Sequence, residues 1–151
     1  QGYSSAASDV YKRQGEYQMS SIFSRIVKGE IPSYKVAESD KFLAFLDISP
    51  MAKGHVLVIP KQEVDYIFDL DDNLLSDMII YSKKVAKAIS NAIPCQRVGV
   101  MVIGLEVPHA HIHLIPINKE SDMSLTNARL KLEKEEFAII ADSISKEFHK
   151  L

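Results

Sequence analysis

The stretch HAHIHLIPI, residues 109–117, sets three of the chain's five histidines at alternate positions. Imidazole titrates closer to neutrality than any other ordinary side chain, and it can ligate a metal, attack phosphorus or carry a proton. Residues at i, i+2 and i+4 of a β-strand share a face. A strand over 109–117 therefore turns His109, His111 and His113 one way and Ala110, Ile112 and Leu114 the other. A helix would scatter the rings around its axis. The small and aliphatic set suits a core, which leaves the histidines facing a cleft or a polar interior. Alternate side chains emerge about 6.6–6.8 Å apart, so neighbouring rings can converge on one small group while the outermost pair cannot touch unaided.

Three chemistries fit this row. Neutral imidazoles at i, i+2 on a strand can grip one metal ion, although thiol and acidic partners are sparse nearby. One ring can instead add to phosphorus while the others bind phosphoryl oxygens, splitting one hard displacement into two easier ones. The third reading is a satisfied cluster lining a structural cavity. Like charges disfavour one another, so such a row holds at least one ring neutral near pH 7, and a neutral ring can attack. Spacing alone leaves all three open.

The elements that must position the row can be read from periodicity. Over residues 20–28, Ile22, Phe23, Ile26 and Val27 recur at helical spacing behind a capping serine and ahead of Gly29, which predicts a short helix. SYKVAES and KFLAFLD flank Asp40 and Lys41 and predict two antiparallel strands with a tight turn. After the turn-rich DISPMAKG, HVLVIPK predicts a third strand closed by Pro60. Residues 71–92 carry Leu75, Met78, Ile79, Ser82, Val85, Ala86 and Ile89 as one stripe of the longest helix. RVGVMVI is a fourth strand, the histidine row a fifth, and LKLEKEEFAIIADSISKEFHK a last helix with Phe137, Ile140, Ile144 and Phe148 as its apolar side. Strands in one run with helices segregated around them indicate an α+β meander.

Composition narrows the setting. With 46% hydrophobic and 25% charged residues in 151, the chain has the make-up of one globular domain with a real core. A net charge of −2 gives no basic field for tracking nucleic acid, and a small-molecule ligand fits better. Cys95, the one cysteine, excludes an internal disulfide framework and a cysteine-rich zinc module. No apolar run reaches the roughly 18–20 residues of a membrane span, and the opening residues lack the apolar core of a signal peptide, so the expected location is the cytoplasm. Residues 1–18 are small, polar and aperiodic, and are expected to be a non-native or disordered leader ahead of a single domain over 19–151 with a C-terminal helix.

The motif His109-Ala-His111-Ile-His113-Leu-Ile resembles the H-x-H-x-H-x-x signature of the histidine triad (HIT) family of nucleotide hydrolases and transferases. SIFSRIVKGEIPSYKV, FLAFLDISPMAKGHVLVIPK and the triad lie in that family's order and approximate spacing, over roughly residues 20–117. The resemblance implies a HIT-like α+β fold: a five-stranded antiparallel sheet with two main helices, paired as a homodimer. It implies a purine nucleotide substrate, AMP-like, cleaved at its α-phosphate, with no cofactor. His111 would be the nucleophile that becomes nucleotidylated, His113 would bind the α-phosphate, and His109 and His55 would orient the imidazoles and help move protons. Asp47 would accept from the ribose hydroxyls, and Ile22, Phe23, Ile26, Phe45 and Ile48 would line the base pocket. Each has a blander reading. The apolar residues could be plain core, Asp47 an Asx-turn former, and His55 a surface residue at a strand start. His149 suits the dipole of a helix end and receives no site role.

The chain departs from the family just before the triad, where MVIGLEVPH replaces a longer glycine-rich loop. Leu105 stands where glutamine is usual, Glu106 where a small serine is often found, and no asparagine is present. Backbone N–H groups near Gly104 and Val107 can still face a phosphate, but Pro108 removes one donor. Glu106 would repel a polyphosphate unless it turns outward or helps protonate a leaving group. Some members also hold a structural zinc through C-x-x-C at the first helix together with histidines. Ser21 and Ser24 stand there in this chain, and hydroxyls are poor zinc ligands, so no metal is expected. The remaining alternatives are a nucleotide-binding or scaffold protein with little catalysis and a histidine-ligated metalloenzyme.

Overall fold

The computed structural model describes residues 20–151, so the expected leader over 1–18 lies outside the described residues. Helix α1 (Ile22–Val27) starts where the Ser21 hydroxyl accepts the Ser24 N–H at 3.0 Å, and Gly29 follows it at φ 78°, a left-handed conformation open to glycine. Strands β1 (Lys35–Glu38) and β2 (Phe42–Leu46) form the expected hairpin, its turn held by Ser39, whose hydroxyl accepts the Phe42 N–H. Strand β3 (Val56–Pro60) pairs antiparallel with β2. Helix α2 (Asp72–Ala92), capped by the Asp71 carboxylate on the Leu74 N–H, leads to β4 (Arg97–Met101). Strand β5 (Ile112–Ile117) and helix α3 (Lys134–His149) complete the fold.

The five strands are antiparallel, in the order β1-β2-β3-β5-β4. This departs from the expected simple meander, because α2 carries the chain to the far edge and β5 returns inside. Burial explains the order. Ile112, Leu114 and Ile115 of β5 are sealed, whereas Arg97 and Val100 of β4 are exposed, so the more apolar strand takes the inner place.

Both sheet faces are covered. On one, Phe42, Ala44, Leu46, Val56, Val58, Ile112 and Leu114 pack against Met78, Val85 and Ile89 of α2 and Phe137, Ile140 and Ile144 of α3. On the other, Leu43, Phe45, Leu57 and Ile59 pack against Phe23 and Ile26 of α1 and against Val107. Consecutive residues of β2 and β3 alternate between these clusters, the period of two made visible. The buried stripe of α2 is Met78, Ser82, Val85, Ala88 and Ile89; Ile79, expected within it, is 52% exposed. Helix α3 buries Phe137, Ile140, Ile144 and Phe148 as its spacing predicts, but it starts at Lys134, and residues 130–133, expected within it, precede it outside any helix, Leu130 N–H bonding the Pro50 carbonyl.

Candidate active site

Strand β5 begins at Ile112, so of the three alternating histidines only His113 lies on it, and His109 and His111 occupy the segment leading in. The physical reason sits just upstream. Pro108 offers no N–H, and the His109 N–H turns back to the Val107 carbonyl at 2.8 Å instead of joining a ladder. The alternation survives: Ala110, Ile112 and Leu114 enter the helix-side core, and the rings turn to the α1 face.

His111 is 7% exposed, and its Nδ1 lies 2.7 Å from the His109 carbonyl oxygen. A carbonyl only accepts, so Nδ1 carries the proton and Nε2 keeps a lone pair. Burial holds this imidazole below its ordinary range, against the opposing pull of the His109 carbonyl and of Glu106 and Asp65, which keeps it neutral and nucleophilic at pH 7. The Phe23 ring stands edge-on to it, centroids 5.1 Å apart.

A second proton order runs from Met51 through two rings. The Met51 N–H donates to His55 Nδ1 at 3.0 Å, so the proton of neutral His55 is on Nε2, which donates to His113 Nδ1 at 2.9 Å. His113 is thereby left with its proton on Nε2, available to donate to a bound anion. Burial, then His111 and Arg129, push His113 down to about 3, and burial with His113 holds His55 well below the ordinary imidazole range. His55 is thus a buried member of the site and not a surface residue. Gly54 at φ 96° sets the turn before it, where a Cβ would meet Ile93 Cγ1 at 3.0 Å.

Asp47 follows β2 and meets the same group, its Oδ2 3.6 Å from His55 Nε2 and its Oδ1 accepting the Ser49 N–H at 2.8 Å. It is an Asx-turn former and a site carboxylate at once. Burial pushes it up to about 6, against the Ser49 N–H and the Arg129 charge. Asp47, His55 and His113 converge closely enough to suggest a metal site. Both nitrogens of His55 and Nδ1 of His113 are already engaged in hydrogen bonds, so the three offer no open ligand set for an ion.

The remaining expected site residues are distributed less evenly. Phe23, Ile26 and Phe45 are 1%, 5% and 0% exposed, with Phe23 edge-on to Phe45, while Ile22 and Ile48 retain open surface. Leu105 projects into solvent at 88% exposure, Glu106 is exposed and Val107 is buried. Gly104, at φ 74°, turns the chain ahead of them. His111 also borders a cleft of about 590 Å³ whose lining includes Tyr66, Phe68, Val102 and Ile103. Two contributors carry no sequence signal. Arg129, ahead of α3, donates to the Ser49 carbonyl at 3.0 Å and brings its charge to Asp47, His55 and His113. Glu63, just past β3, accepts from the Ser24 hydroxyl and from the Ser21 N–H, both at 2.6 Å.

Ser21 and Ser24 occupy the positions at which the resemblance raised the question of a structural zinc. Four ligands about 2.0–2.1 Å from zinc sit about 3.3 Å from one another. Here Ser21 Oγ is 2.7 Å from His109 Nδ1 and Ser24 Oγ 2.6 Å from Glu63 Oε1, hydrogen-bond contacts that close the space between them. Hydroxyl donors fit zinc poorly, and here both hydroxyls are committed to hydrogen bonds.

A cluster of imidazoles at the entry to an inner strand of an antiparallel α+β sheet is the class of site this fold builds. The chain belongs to the HIT family: the HIT domain model matches residues 28–120. It is 40% identical over 130 residues to the adenosine 5′-monophosphoramidase hnt1 of Schizosaccharomyces pombe, covering 84% of this chain and 97% of that protein. Among solved structures it is similar to a HIT-like protein from Bartonella henselae, at 32% identity and TM-score 0.72, covering 83% of this chain and 95% of the other. A histidine triad nucleotide-binding protein from Sulfolobus tokodaii matches with TM-score 0.74 at 27% identity, covering 86% and 93%.

Proposed function

We propose that this protein is a nucleotide hydrolase that cleaves purine nucleoside 5′-phosphoramidates, or dinucleoside polyphosphates, at the α-phosphate through a nucleotidyl-histidine intermediate on His111. One observation carries the reading: Nδ1 of His111 is committed to the His109 carbonyl, which leaves Nε2 as a buried, neutral lone pair. In the first step Nε2 forms a bond to phosphorus and the P–N or P–O bond to the leaving group breaks, its electron pair departing with the leaving group, which takes up a proton. Water then adds to phosphorus and gives up a proton to solvent, replacing the one the leaving group took, the N–P bond breaks, and the nucleoside monophosphate leaves as His111 regains its lone pair. Nε2–H of His113 faces the phosphoryl oxygens, and ionised Asp47 accepts from the ribose hydroxyls. The activity named for the fission-yeast relative supports the phosphoramidate class.

The protein acts as a homodimer in this reading. The outer edge of β4 pairs with no strand among the described residues, and Val100 on it and Val102 and Ile103 just past its end are exposed, so a second copy laid there would also wall the cleft beside His111. The single free thiol of Cys95 suits the cytoplasm. Leu105 supplies no polar group to a phosphate, which favours a nucleotide-binding protein of low turnover as the second reading.

AMP release from an adenosine phosphoramidate, by the wild type and by His111→Ala with chelator present throughout, tests the proposal. Turnover in the wild type alone is expected. Full activity in the variant would overturn the mechanism, and tight nucleotide binding without turnover of either substrate class would support the second reading.

A further inference from the structure

We infer that Glu63 is a positioning residue for the catalytic histidines, acting through Ser21, Ser24 and His109; the consequence for turnover rests on the function proposed above. The four residues come from three places in the chain and meet in one hydrogen-bonded group. His109 is fully buried, Ser21 is 2% exposed and Ser24 is 7% exposed. His109 Nε2 lies 2.8 Å from the Pro60 carbonyl oxygen, which can only accept, so Nε2 carries the proton and Nδ1 is an acceptor. Ser21 must then supply its hydroxyl proton to Nδ1, at 2.7 Å. What prevents the nearby Ser24 hydroxyl, 3.3 Å from the same Nδ1, from competing is Glu63, whose Oε1 takes the Ser24 proton at 2.6 Å. The same oxygen accepts the Ser21 N–H and so fixes the residue that caps α1.

Every proton in the group has one destination, and the order ends at the chemistry. A ring locked at both nitrogens holds the His109 main chain, and the His109 carbonyl sets the proton of His111 on Nδ1. Glu63 reaches no reacting atom. It acts by removing the alternative arrangement in which Ser24 and Ser21 exchange roles and the His109 ring can turn. This hydrogen-bonded clamp ties the start of α1 to the exit of β3 and the triad segment without a metal ion.

The amide of glutamine retains an oxygen acceptor and the methyl of alanine does not, which separates the clamp from simple loss of volume or charge. Glu63→Ala is expected to lower kcat about tenfold with KM within about twofold, the size of one lost charged hydrogen bond. Glu63→Gln should recover most of it. In the ¹⁵N spectrum, the His109 Nδ1 acceptor should give one sharp line in the wild type and a shifted or exchange-broadened one in Glu63→Ala, where two serines compete for it. Should Glu63→Ala fail to fold, Ser24→Ala, which leaves Ser21 in place, is to be compared with Ser21→Ala: the Nδ1 line is retained in the first and shifted in the second. A His109 Nδ1 line and a kcat unchanged by Glu63→Ala, or an Nδ1 line unchanged in Ser21→Ala, would overturn the inference. If the wild type does not turn over the phosphoramidate, the spectrum alone decides for or against the clamp, and only the activity reading falls.

Discussion

At the scale of single residues, Asp47 does two things that oppose each other. Its carboxyl is buried enough to be pushed up to about 6, yet a ribose-binding acceptor must be ionised. The folded value lies above the unfolded one, so the contribution of Asp47 to stability is most favourable below the unfolded value and is lost as pH rises through about 6. Asp47→Asn should therefore stabilise the free protein at pH 8, by on the order of 2 kcal/mol, and have little effect at pH 3.5, as read by chemical denaturation at the two values. In the wild type, nucleotide affinity should weaken as pH falls through about 6, and in Asp47→Asn that dependence should disappear. Residue types at this scale were legible where the chemistry is carried by a motif. The triad histidines turn to one face as their alternation suggests, whereas spacing was silent on His55, which the β3–β5 pairing, with Leu57 opposite His113, brings beside them. Glu63 and Arg129 were not legible, since a lone charge in a loop has no period and its partners are chosen by tertiary contact.

Among elements, the helices were the easier reading. Phe137, Ile140, Ile144 and Phe148 repeat at 3.6-residue spacing on a sequence that has little else to do, and α3 buries all four. The start of β5 was misplaced because alternation continues through His109 while the ladder does not, and sequence reports side-chain direction more faithfully than main-chain pairing. Strand order was also beyond reach, as a crossover is a nonlocal event that only comparative burial of β4 and β5 resolves. The contact of α2 with α3 holds one imperfection. Tyr81 lies against Phe42 and Phe148, with centroids 5.4 and 5.7 Å away, and its buried hydroxyl has no hydrogen-bond partner among the described residues. Tyr81→Phe removes that unsatisfied group while keeping the ring, and should raise stability by about 1 kcal/mol without changing turnover, measurable as a higher Tm.

The whole molecule is asymmetric about its sheet. The β1 end is covered by α3, whereas β4 presents an open edge, with Val100 on it at 59% and Val102 just past it at 42% exposure. Two copies joined along β4 would remove that edge, and light scattering should give twice the chain mass for the wild type and the chain mass for Val100→Lys/Val102→Lys. A wild-type monomer at micromolar concentration would sink the homodimer. No helix of the described residues is long and apolar enough to cross a membrane. Strand β3 lies at the opposite extreme from β4, in the middle of the sheet with every residue buried and both neighbours antiparallel. Its amide hydrogens can meet solvent deuterium only when the entire domain opens. The exchange rates of Val58 and Ile59 consequently report the free energy of global unfolding, while those of β4 report whatever happens at the edge, so one labelling experiment contains both the measurement and its internal standard.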